Sequence, residues 1–139
     1  MSRLLRLLLV ATAVVSWGCG QARESSEPLN ELAKTRVRDL DVLLLSSDTA
    51  VNTGRDTITV EFRAASDGRL IDVGTVKANA TMPMTGMAPM FGPVDVERTA
   101  VPGRYLATSE LSMAGEWRLS FEWDGPAGPG SVRFSSMVH

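Results

Sequence analysis

Histidine and cysteine are nearly missing from this chain. Among 139 residues there is one of each, His139 at the C-terminal end and Cys19 near the start. A zinc site of His and Cys, or a copper(II) site built on several imidazoles, therefore cannot be assembled from one copy. No internal disulfide can form either. A Ser-His-Asp arrangement would need the terminal His139 as its base, a poor place for a positioned group. Asp95, Glu97, Glu110, Glu116 and Glu122 are available carboxylates, but acidic residues on strands and turns are ordinarily solvated. No glycine-rich loop follows a strand and opens a helix, so nucleotide binding has no support; Gly-Pro-Ala-Gly-Pro-Gly at residues 125–130 is turn chemistry. Charge of one sign is also lacking, with 14 Lys and Arg against 16 Asp and Glu. Without a basic stripe there is no footprint for nucleic acid. The chain reads as a non-enzyme.

Long apolar runs are scarce too, and the one at the start is short. Arg3 and Arg6 precede an apolar stretch over residues 7–15, the charge and length of a secretory signal. A membrane span would need roughly 20 apolar residues. Ser16-Trp17-Gly18-Cys19 then places a small residue before the lone cysteine, the arrangement read by a lipoprotein signal peptidase. Cys19 would be acylated through its sulfur and become the new N-terminus. Ser16 and Trp17 depart from the usual Leu or Val and small residue, so ordinary secretion is the alternative. The expected organisation is a signal at 1–18, a tether or linker at 19–38, and one domain at 39–139. Residues 20–27 (GQARESSE) suit a flexible tether. The spacing of Leu29, Leu32 and Val37 is weakly helical, or fits an irregular lead-in. The expected location is the periplasmic side of a bacterial membrane, held by a lipid anchor. About 120 residues remain after cleavage, enough for one cored domain.

From Leu40 onward the apolar period is two. Residues 56–64 alternate so that Ile58, Val60, Phe62 and Ala64 share one face. Residues 117–123 do the same with Trp117, Leu119, Phe121 and Trp123. Weaker alternation runs through 73–80, 94–98, 104–108 and 132–138, and residues 42–45 form a continuous apolar run. Turn residues separate them at Asn52-Thr53-Gly54, Asp67-Gly68, Pro102-Gly103, Ala114-Gly115 and Asp124-Gly125. About seven short strands at this spacing predict an all-β, immunoglobulin-like antiparallel β-sandwich, with a small barrel as the alternative.

What the chain does have is methionine in an unusual place. Four of its seven methionines, Met82, Met84, Met87 and Met90, fall within nine positions. Pro83, Gly86, Pro89 and Pro93 are interleaved with them, which excludes a regular helix and disfavours a central strand. Residues 81–93 are thus expected to be a loop. Thioether sulfur is a soft, neutral ligand with no proton to lose, and it suits Cu(I). Met113, before the Trp117 strand, is a further candidate ligand if the two loops lie at one end. Methionine is equally a flexible gap-filler or an adaptable contact for a partner protein. His139 reads as a solvated terminus.

The ordered pieces Asp67-Gly68, Met82-Pro83-Met84, Pro102-Gly103-Arg104-Tyr105 and Met113-Ala114-Gly115-Glu116-Trp117 resemble the YtkA-like family of small exported bacterial domains, related in style to FixH-like proteins. The resemblance covers roughly residues 39–138. It implies an immunoglobulin-like sandwich outside the cytoplasmic membrane, accompanying copper efflux or cytochrome oxidase assembly machinery. The loop and the resemblance together leave two functions: a copper(I)-handling accessory protein, or a non-catalytic interaction module without its own metal that uses the same loop as an apolar contact. With no histidine beside the loop, any metal site here would rest on thioethers alone. Tyr105 and Trp117 are equally explained as core residues, with Gly103 and Gly115 making turns.

Overall fold

A computed structural model describes residues 27–139. The regular elements among them are all strands: β1 (Asn30–Val37), β2 (Leu40–Ser46), β3 (Gly54–Ala64), β4 (Thr75–Met82), β5 (Met90–Arg98), β6 (Arg104–Leu111), β7 (Gly115–Asp124) and β8 (Gly130–Val138). They form one antiparallel sheet in the order β1-β2-β3-β6-β5-β4-β7-β8. The expected all-β, sandwich-like architecture is found, with eight strands in place of seven. β4, β5 and β6 form a meander, and β3 returns beside β6, which is a Greek-key arrangement.

The period-two runs bury the face they were expected to bury. Ile58, Val60, Phe62 and Ala64 of β3 point into the core, as do Trp117, Leu119, Phe121 and Trp123 of β7. Phe62 meets Tyr105 and Trp123 edge-on, with centroids 5.5 and 5.0 Å away, tying β3 to both β6 and β7. The last of these contacts crosses the core, because β3 and β7 are far apart in the strand order. The sheet therefore folds over on itself. Its edge strands β1 and β8 approach one another, and the connections beside them touch: Val51, between β2 and β3, bridges Val138 in parallel, and Arg38, after β1, donates from Nη1 to the Pro129 carbonyl at 3.1 Å.

The extra strand is β1, in a segment expected to be tether. A bulge between Glu31 and Ala33 shifts its register against β2. That extra residue breaks the two-residue alternation, so Leu32, Ala33 and Val37 pack on the core without showing a strand period. The boundary at residue 39 is corrected accordingly: residues 30–37 belong to the sheet. The signal at 1–18 and Cys19 lie outside the described residues.

On the outer side of the sheet, two ion-pair groups tie β3 to β6 and β2 to β1. Glu61 is buried between Arg63 and Arg104, with Arg104 Nε 2.8 Å from Oε1. Asp41 takes Arg36 in a fork, at 2.7 and 3.1 Å, with Lys34 Nζ at 3.2 Å. The Arg36 hydrogen bonds hold the Asp41 carboxyl at about 2, against a smaller opposing effect of desolvation and with Lys34 assisting. A carboxyl lowered in the folded state adds stability that is complete above its ordinary range and fades as pH falls toward 2. Asp41→Asn is expected to flatten the fall in unfolding free energy between about pH 4 and pH 2. Urea titrations across that window check this; parallel curves for both proteins would exclude the role.

Candidate functional site

The antiparallel register decides which chain segments share an end. Asn30 pairs with Ser46, Gly54 with Leu111, Met82 with Met90, and Gly115 with Val138. One end of the sheet therefore carries the start of β1, the β4–β5 hairpin, the β6–β7 connection and the C-terminus. The expected loop over residues 81–93 is shorter than its prolines suggested. Thr81 and Met82 close β4, and Met90 through Pro93 open β5. Pro93 is tolerated because the β5–β6 ladder begins only at Val94; Pro93 is paired with Asn79 on the other side alone.

Met82 and Met90 face each other across the hairpin, half-buried, and pack against the core. Between them the chain turns sharply, with the Met87 N–H donating to the Met84 carbonyl at 3.4 Å and Gly86 at φ +75°. Met84 is half-buried and Met87 is 65% exposed. All four methionines of the loop thus belong to one tight hairpin.

Met113 joins them from another part of the chain. It sits in the three-residue connection, residues 112–114, that carries the chain from β6 to β7. Two contacts bind this connection to the hairpin. The Ser112 hydroxyl donates to Met90 Sδ at 3.3 Å, and Gly115 lies against the Met82 methyl so closely that an added Cβ would overlap it. The Trp117 indole N–H fixes the connection from below by donating to the Met113 carbonyl at 3.0 Å. Gly92 lets the layers meet here, since a Cβ would stand 2.6 Å from Leu111 and 3.1 Å from Trp117. The condition on which Met113 was a candidate, two loops at one end, is met.

Two residues at this end escaped the sequence reading. Ser112 had no signal, because its partner is 22 positions away. Met137 comes to the same end only through the β7–β8 register, opposite Glu116, and is 54% exposed. His139 is exposed at this end too; its backbone is tied to Val51 and Thr53. Among the described residues no group of three or more His, Cys, Asp or Glu is placed to hold a metal. Ligation at this end would therefore fall to sulfur. The donor set, several neutral thioethers on two adjoining turns, fits a soft monovalent ion and not a hard divalent one.

The Gly-Arg-Tyr motif lies at the opposite end and is structural. Gly103, at φ +87°, packs on the Ile71 backbone. Arg104 pairs with Glu61, and the Tyr105 hydroxyl donates to the Gly74 carbonyl at 2.8 Å and to Asp72 at 3.2 Å. The Gly74 amide, and then Arg98 and Tyr105, lower the Asp72 carboxyl against partial desolvation; burial and then the Asp72 charge raise the Tyr105 phenol. This cluster locks the connection between β3 and β4.

Fold and site together define an all-β, sandwich-like domain with a thioether-lined end. The family model for YtkA-like domains matches residues 34–122, from within β1 to within β7. The chain belongs to the YtkA-like family. No curated protein matches it in a sequence comparison.

Proposed function

We propose that this is an envelope copper(I)-handling protein that binds the ion at the methionine end and performs no catalysis. Met82, Met84, Met87 and Met90 supply the thioethers from one hairpin, and Met113 adds one from the β6–β7 connection. The observation that carries the reading is the contact between those two turns, Ser112 on Met90 and Gly115 on Met82. It holds methionines distant in sequence at one place on this end of the sheet. Cu(I) would find soft donors there that need no deprotonation, so binding would be nearly independent of pH across the neutral range. Export by the N-terminal signal, with an acyl anchor on Cys19, places this site on the periplasmic side of a membrane. There it would pass copper to or from an efflux or oxidase-assembly partner.

A second reading has its own support. Met82 and Met90 pack on the core, and Phe91 beside them is 72% exposed, as a docking face for an envelope protein would require. The two readings differ in what they ask of sulfur. In an anaerobic Cu(I) competition titration of the chain from residue 20, the wild type is expected to bind stoichiometrically. The variant with Met82, Met84, Met87 and Met90 all changed to Leu, close in volume, should stay folded and lose binding. No binding by the wild type would leave docking as the function of the end.

A further inference from the structure

Six large hydrophobic side chains are exposed among the described residues, and five of them gather at the methionine end. Leu29 precedes β1, Met87 tips the β4–β5 turn, and Phe91 is second in β5. Met113 lies in the β6–β7 connection, and Met137 is next to last in β8. Only Leu106, in the middle of β6, lies elsewhere. Scattered exposed apolar residues are ordinary, but five of six on one end of a small domain mark a contact surface.

The same end is where the chain comes in from Cys19. Eleven Cα steps separate Cys19 from Asn30, which reach at most about 40 Å. The longest strand, β3, has 11 residues and so measures about 35 Å. An anchor at Cys19 therefore keeps the methionine end within about 40 Å of the bilayer and favours the orientation in which that end faces it. Turning the domain over would consume nearly the whole tether, fully extended, merely to pass the sheet. Arg38, Pro102 and Pro129 belong to the opposite end, which faces away.

We infer that the methionine end is the membrane-facing end, and that Met87, Phe91, Met113 and Met137 rest in the interfacial layer of the bilayer. This rests on the acylation of Cys19 proposed above, and not on copper. Contact would draw on apolar area and not on charge, because Asp48, Asp56 and Glu116 stand around this end against Arg55 and Arg118. The favoured surface is accordingly a zwitterionic one. For the copper reading the consequence is directional: the thioethers open toward membrane-embedded partners and not toward soluble ones.

The test uses the full acylated protein in phosphatidylcholine vesicles. Acylation consumes the Cys19 thiol, so a cysteine introduced elsewhere is the single reactive one. Met87→Cys at the methionine end and Ala127→Cys at the far end would each carry an environment-sensitive fluorophore. Lipids bearing a shallow quencher are expected to quench the first several-fold and leave the second unchanged. Equal quenching at both ends, or none at the Met87 position of an acylated protein, would overturn the orientation and leave that end to a protein partner. A mature chain whose mass carries no acyl groups would overturn the anchoring on which it rests. Neither result touches the Cu(I) titration, which is made on the unanchored chain.

Discussion

Phe62→Ala is expected to remove about 4 kcal/mol of stability. Phe62 has no exposed surface and stands on the core face of β3, near the end of that strand. Its ring contacts Tyr105 on the neighbouring β6 and Trp123 on β7, across the fold. Removing it takes away the transfer energy of a buried ring and leaves a void between two layers. The walls are poorly able to close: Tyr105 is held by the Gly74 carbonyl, and Gly130 packs closely against the Trp123 indole. Domains of this size are stable by only about 5–15 kcal/mol, so the variant would be close to its unfolding limit. Urea denaturation should show a much lower midpoint with little change in slope. A loss below about 1 kcal/mol would mean that the layers are not locked through this ring.

Trp117 is the second such residue, and its replacement is expected to connect stability with the methionine end. Its side chain is fully buried beneath Gly92, and its indole N–H holds the Met113 carbonyl. Trp117→Ala should cost about 4 kcal/mol through the cavity it opens. Trp117→Phe separates the two roles, since it keeps much of the apolar volume and drops the donor. That variant should stay folded, with a loss of about 1–2 kcal/mol, while residues 112–114 are released from their position. On the copper reading its Cu(I) affinity falls, because Met113 and the Ser112 contact to Met90 are no longer fixed over the hairpin. Unchanged Cu(I) affinity in a folded Trp117→Phe protein would remove Met113 from the site.

Much of the fold is legible in the chain because burial on one face imposes a period of two. In β3 and β7 that period is unbroken, and each expected inward residue is inward. β1 was not legible, because its bulge at Glu31 and Ala33 adds one residue and spoils the alternation. Pro93 misled in the opposite direction. A proline argues against a central strand, but it is tolerated where the strand lacks a neighbour on one side, and that vacancy depends on where the β5–β6 ladder starts.

The same division runs through the site. Composition alone excluded an imidazole or thiolate metal centre and put four methionines on one turn, since residue type and close spacing are local properties. Whether Met113 belongs with them was a question of topology. The answer came from the short connection between β6 and β7 and from the Gly115 and Ser112 contacts, 22 or more residues away from their partners. Met137 depends on register in the same way. Residue chemistry and apolar period are written along the chain, where neighbours are a few positions apart. Which turns share an end, and at which end β1 begins, follows from strand order and ladder register, and these exist only once the sheet has closed over its core.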